Sequence, residues 1–228
     1  MPLHQQRLIT YLITSGETTP QTTPGDKDFS RLLNLVAAAV AAHVNLFQLR
    51  EKNLSARVLY ELTLRAAQIT RGSSTQLLIN DRADVARSAG AQGVHLTAGS
   101  IETSVIRRTF GDDFLIGVST HSLEEARAAR DARADFAVFG PVFKTISKGA
   151  YGEPFGLEKL EQVATTLTPF PLLALGGVTL DNAAGCFRAG AAGVAAIRLL
   201  NDADQLARMV AEIEARFRSH KNDGLISR

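Results

Sequence analysis

No tryptophan occurs in these 228 residues, and aromatic side chains make up only 6% of them. Any core must therefore pack aliphatic groups. Cysteine is nearly absent too. The single thiol, Cys186, excludes an internal disulfide and fits a reducing compartment. It lies in the alanine-rich stretch "DNAAGCFRAGA" with no convincing histidine partner, so it reads as a small packing residue rather than a nucleophile. Neither charge prevails: 25 basic side chains face 23 acidic ones, a formal net charge of +2. That balance gives no electrostatic footprint for nucleic acid. No apolar run approaches membrane-spanning length, and no charged-then-apolar leader precedes the first strand. The expectation is a soluble cytoplasmic protein with small-molecule phosphate partners, no nucleic acid and no membrane partner, and with a homo-oligomer left open.

What the chain does have is 45% apolar residues in short, regularly spaced runs. Strand candidates fall at 8–14, 44–50, 75–80, 93–96, 114–119, 136–140, 171–176 and 193–197. Helical patterns lie between them, near 31–43, 55–71, 82–90, 101–109, 122–132, 156–166, 180–189 and 202–218. Strict alternation argues for parallel strands, which need crossover helices, and the nearly continuous apolar strands fit a sheet covered on both faces. The segments "RSAGAQGVHL", "RDARADFAVFG" and "RAGAAGVAAI" share a layout in which a helix ends in small residues just before a strand. Eight such units predict a single-domain α/β protein, a (β/α)8 TIM barrel over 1–228 with its core at about 8–218. The first loop, "TSGETTPQTTPGDKD", lacks the glycine fingerprint of a doubly wound sheet and reads as mobile. The basic tail "RSHKNDGLISR" reads as frayed.

Barrels place their chemistry at the carboxyl ends of the strands. The second strand ends "FQLREK", where Gln48, Arg50 and Lys52 share the face of an extended chain and suit a polyanion. The plainer alternative is a charged rim neutralised by Glu51. The third strand ends in Asn80 and Asp81; Asp81 suits either a helix cap or a hard cation. Asp84 reads as a helix-surface residue or local salt-bridge partner. The fifth strand ends "GVSTHS", presenting Ser119 and His121, with Ser122 and Glu125 spaced as a capping box. The sixth runs into "GPVFKTISKG", which sets Thr145, Ser147 and Lys148 as an anion clamp ahead of a flexible "GAYGE". The seventh ends at Gly176 and Gly177, where a ligand can approach the backbone, and the eighth at Ile197 and Arg198, near the usual phosphate site.

In order, "FQLREK", "LLINDRADVA", "GVHL", "IGVSTHSLEEA", "GPVF-x-T-x-SK" and "LGGV" resemble the thiamine-phosphate synthase family, which includes the related thiazole tautomerases. The likeness spans roughly residues 8–200. It implies a (β/α)8 barrel that joins hydroxymethylpyrimidine diphosphate to a thiazole phosphate, the diphosphate leaving before the thiazole nitrogen attacks. By motif, Gln48, Arg50, Lys52 and Asn80 would line the diphosphate and pyrimidine site, and Asp81 would bind Mg2+. Ser119, Thr145, Ser147 and Lys148 would hold substrate and leaving group, and Gly177 would contact the thiazole phosphate.

Two positions depart from that pattern. Ser100 stands where the family has a second aspartate for Mg2+, which implies a weakened metal site, and Glu102 could replace it only if the loop were rebuilt. Arg198 stands where synthases carry a serine. Loss of the aspartate also marks the tautomerases, in which His121 would be the acid/base that isomerises a thiazole carboxylate phosphate. The retained "REK" and "T-x-SK" favour the synthase. A third reading is a non-catalytic binder of thiamine-type phosphates, which ligand would stabilise without product.

Overall fold

Burial patterns explain the strands before their pairing does. In the computed structural model, which describes residues 8–145 and 153–226 with side chains to 219, every strand residue of β1 (Ile9–Ile13), β2 (Leu46–Leu49), β4 (Gly93–Leu96), β6 (Phe136–Phe139), β7 (Leu172–Ala174) and β8 (Gly193–Ala196) is buried. β3 (Gln76–Asn80) is half-buried at both ends, and β5 (Leu115–Thr120) at Leu115, Val118 and Ser119. Neighbours pair in parallel throughout, and β8 pairs back onto β1, closing the barrel β1 to β8 in chain order. The expected (β/α)8 fold is thus observed.

Helices α1 (Lys27–Ala41), α2 (Ala56–Thr70), α3 (Ala83–Ala89), α4 (Thr103–Phe110), α5 (Leu123–Asp131), α6 (Gly156–Leu167), α7 (Ala183–Arg188) and α8 (Leu206–Ile226) follow their strands. Their apolar faces pack on the outward strand residues in one large core that includes Leu12, Phe47, Ile79, Val94, Ile116 and Val194. The inward residues form a second, smaller core of Ile9, Tyr11, Ile13, Leu46, Leu78, Phe136, Val138, Leu173 and Ala195. Strand parity creates both layers, because alternate side chains point to opposite faces. Gly117 makes room inside: a Cβ there would lie 2.3 Å from the Phe136 ring and 2.8 Å from His95 Nδ1.

Local signals hold at several ends. Gly90 caps α3 at φ 80°, and Gly190 follows α7 at φ 84°. Ser122 Oγ accepts from Glu125 N at 3.1 Å, while the Glu125 carboxylate accepts from His121 N at 2.7 Å, one residue earlier than in an ordinary capping box.

Three expectations change. Helix α1 starts at Lys27, four residues before the apolar pattern does. The tail is not frayed in its backbone, since α8 runs to Ile226. And the first loop, expected to be mobile, is pinned. Thr18 and Thr22 are buried, and the buried Glu51 carboxylate accepts from the hydroxyls of Thr14 at 2.5 Å and Thr18 at 2.6 Å.

Candidate active site

The inward parity of five strands ends in polar side chains. Gln48 stands next to the end of β2, Asn80 closes β3, His95 stands near the end of β4, Ser119 near the end of β5, and Tyr11 in the middle of β1. They touch in series. Ser119 Oγ lies 2.8 Å from His95 Nε2, and His95 Nδ1 lies 3.1 Å from the Tyr11 hydroxyl. Tyr11 donates to Gln48 Oε1 at 2.9 Å, and Gln48 Nε2 donates to Asn80 Oδ1 at 3.1 Å. Below this belt the interior is apolar, so the barrel changes from oil to polar surface along its axis.

Burial sets the electrostatics. Desolvation, with the Arg50 charge second, pushes the His95 imidazole down to about 3, so the ring is neutral at ordinary pH. Desolvation also raises the Tyr11 phenol well above its ordinary value. Among the described residues Thr75 Oγ1 alone is a buried side-chain polar atom without a partner, so the belt is internally satisfied.

Arg50 and Lys52 follow Gln48, but only Gln48 lies in the strand. Arg50 is half-buried, and Lys52 is exposed in a turn. Glu51 neutralises neither of them: its oxygens take Thr14 and Thr18 instead, and no salt bridge to Arg50 or Lys52 occurs among the described residues. This overturns the reading of a self-neutralised rim.

Asp81 is exposed and sits at φ 62°, a left-handed backbone that aspartate tolerates better than most residues. Its amide donates to the His95 carbonyl at 2.9 Å, which holds the turn. It does not cap α3, whose N-cap residue is Arg82. Asp84 instead pairs with Arg82 at 2.6 Å. Ser100 is committed elsewhere. Its Oγ accepts from Thr97 N at 2.7 Å and closes a turn, and Glu102 is exposed at the start of α4. Among the described residues no cluster of metal-ligating side chains forms. The donor set therefore fits Mg2+ only through one protein carboxylate, Asp81, with the remaining oxygens coming from a phosphate ligand or water.

His121 Nδ1 lies 2.6 Å from the Gly140 carbonyl, which can only accept, so that nitrogen carries the proton. Thr145 is half-buried. Ser147 and Lys148, with most of "GAYGE", lie outside the described residues. Gly176 and Gly177 take φ 93° and 64°, but the space beside each is already filled. A Cβ on Gly176 would lie 2.6 Å from Pro141 Cα, and one on Gly177 would lie 2.5 Å from the Lys144 carbonyl. These glycines let the loop after β6 seat against the end of β7. Ile197 is half-buried against the inner core, and Arg198 is exposed at the start of a 3-10 turn (Arg198–Leu200).

Tyr11 and His95 are the site residues the sequence reading missed. Both are polar at inward parity, which is the signal that could have found them.

A parallel barrel whose mouth gathers amides, a carboxylate and the cations of Arg50 and Lys52 is a small-molecule barrel of the anion-handling class. Residues 18–200 match the family described as thiamine monophosphate synthase. A thiamine-phosphate synthase of Roseiflexus sp. is 40% identical over 166 residues, 73% of this chain and 70% of that protein. One from Moorella thermoacetica is 37% identical over 189 residues, 82% of this chain and 90% of that protein. The solved thiamine phosphate pyrophosphorylase from Pyrococcus furiosus superposes with a TM-score of 0.77 at 28% identity, covering 94% of this chain and 97% of that one. The chain belongs to the thiamine monophosphate synthase family.

Proposed function

We propose that this chain joins hydroxymethylpyrimidine diphosphate to a thiazole phosphate, releasing diphosphate. The observation that carries the reading is the family match over residues 18–200, which includes every strand end of the mouth except that of β1. In the reaction the carbon–oxygen bond to the diphosphate breaks and both electrons leave with the oxygen. The thiazole nitrogen then donates its lone pair to the resulting cationic carbon. The group that gains charge is the leaving diphosphate, and Arg50, Lys52 and Lys148 are the cations assigned to it. Gln48, Asn80 and Ser119 hold the pyrimidine side, Thr145 and Ser147 the leaving group, and Gly176, Gly177, Ile197 and Arg198 the thiazole phosphate side. Mg2+, held by Asp81 and phosphate oxygens, would neutralise part of the diphosphate charge when bound.

Isomerisation of a thiazole carboxylate phosphate by His121 gains no better support, since the relatives above carry synthase names. No helix among the described residues is long and apolar enough to cross a membrane. Residence in the cytoplasm is part of the reading, and the single buried thiol fits it.

The test is mass spectrometry of purified protein with hydroxymethylpyrimidine diphosphate, thiazole carboxylate phosphate and Mg2+. Thiamine phosphate that forms with loss of the carboxylate as carbon dioxide, and that vanishes with chelator, supports the synthase. No coupling, with solvent deuterium entering the thiazole substrate, would replace it by the isomerase. Ligand-induced thermal stabilisation without either reaction would replace it by a binder.

A further inference from the structure

The belt inside the barrel has a direction. A tyrosine hydroxyl carries one proton, and that of Tyr11 is given to Gln48 Oε1. His95 Nδ1, 3.1 Å from the same oxygen, can then bond to it only by donating. A neutral imidazole protonated at Nδ1 has a lone pair at Nε2, and the group 2.8 Å away is the Ser119 hydroxyl. Ser119 must therefore turn its proton inward. At the far end Gln48 Nε2 donates to Asn80 Oδ1, which leaves the Asn80 amide hydrogens outside the chain.

We propose that Tyr11 and His95 are positioning residues that impose this single polarity, holding Ser119 as an acceptor and Asn80 as a donor toward whatever ligand occupies the mouth. Three structural features sustain it. Tyr11, Gln48 and His95 are at most 3% exposed, so water does not compete for their bonds. Gly117 leaves the space that the His95 ring occupies beside Phe136. The Tyr11 and Phe136 rings meet edge to face at 5.5 Å, which holds the phenol upright. Ser119 would then recognise an N–H or O–H on the ligand and Asn80 a lone pair. A ring with a donor beside an acceptor is read in one orientation only. The catalytic consequence rests on the synthase reading; the proton arrangement does not.

The experiment is 15N NMR of histidine-labelled protein, with the His95 resonances assigned by their absence in His95→Gln. The expected spectrum at neutral pH is that of the Nδ1–H tautomer. An Nε2–H tautomer overturns the proposal. Tyr11→Phe removes the acceptor of Nδ1–H, so the proton should move to Nε2 and the Ser119 hydroxyl should reverse. In the coupling assay kcat should fall about 10–100-fold, the size typical of lost orienting partners, with the thermal transition retained. A Tyr11→Phe spectrum identical to that of the parent overturns the proposal even if turnover falls. If that variant fails to fold, the parent spectrum still decides. An Nδ1–H spectrum in a protein that does not couple the substrates sinks the synthase reading and leaves the polarity standing.

Discussion

The Thr18 hydroxyl donates to Glu51 Oε2 at 2.6 Å, tying the first loop to the end of β2 between the two cations of the mouth. The other carboxylate oxygen takes Thr14 Oγ1, which in turn accepts from Arg50 N at 2.9 Å. The contact thus orders the backbone that carries Arg50 while keeping the acidic group away from it. Glu51→Ala strands two buried hydroxyls. It should cost about 1–3 kcal/mol in urea unfolding, the penalty of buried donors left unsatisfied, and should raise KM for the diphosphate substrate. Unchanged stability with unchanged KM would remove Glu51 from this role.

Arg107 does structural work at the opposite end of the barrel. It is 6% exposed, donates to the carbonyls of Gly111, Phe114 and Arg133, and pairs with Asp135 at 2.7 Å. Asp135 Oδ2 also accepts from Ile116 N at 2.7 Å. Arg107→Ala leaves a half-buried carboxylate and several carbonyls without their donor. A loss of about 3–5 kcal/mol is expected in chemical denaturation, with turnover kept at permissive temperature because the cluster lies away from the mouth. A loss confined to turnover would contradict this.

The fold was legible because each strand is a short apolar run and each helix is amphipathic, so the alternation appears as punctuation. Gln48, Asn80, Asp81 and Ser119 were legible because polarity at the end of an apolar strand is conspicuous. Tyr11 and His95 were not, because both sit among apolar neighbours, as any core aromatic does. The role of Glu51 was not legible, because only the fold brings the hydroxyls of Thr14 and Thr18 against its carboxylate. Gly176 and Gly177 show the same limit, since a sequence shows that space is needed but not what fills it.

His95 makes acid stability a direct test. The folded protein holds the imidazole near 3, whereas an unfolded chain leaves it near the ordinary 6.5. Between those values the unfolded state binds the extra proton. The contribution is therefore fully present above about 6.5 and is lost as pH falls toward 3, by about 1.4 kcal/mol per pH unit. Unfolding free energies measured across that window should decline on acidification, and His95→Gln should flatten the slope even if it lowers the whole curve. Parallel curves for parent and variant would place the proton elsewhere.

Cys186 tests the reverse case. It is fully buried on α7, and desolvation pushes its thiol up to about 12. Only the thiolate attacks an alkylating reagent. Iodoacetamide should therefore leave the native protein unlabelled at neutral pH and modify it fully in denaturant, and Cys186→Ala should retain coupling. Rapid native labelling with loss of turnover would overturn the packing reading.

Ser100→Asp asks whether the second carboxylate of the family pattern can be rebuilt. Ser100 Oγ now accepts from Thr97 N at 2.7 Å, and a carboxylate oxygen can take over that bond while the other oxygen stays available. A second carboxylate that reaches the cation should tighten the apparent Mg2+ dissociation constant on the order of tenfold, the size of one partly screened charge pair. The measurement is coupling rate against Mg2+ concentration for parent and variant. A leftward shift at unchanged maximal rate means that the parent works with a single protein carboxylate and a weaker metal site. An unshifted curve means that the turn at 97–100 holds position 100 away from the metal, so the diphosphate must bring the cation with it.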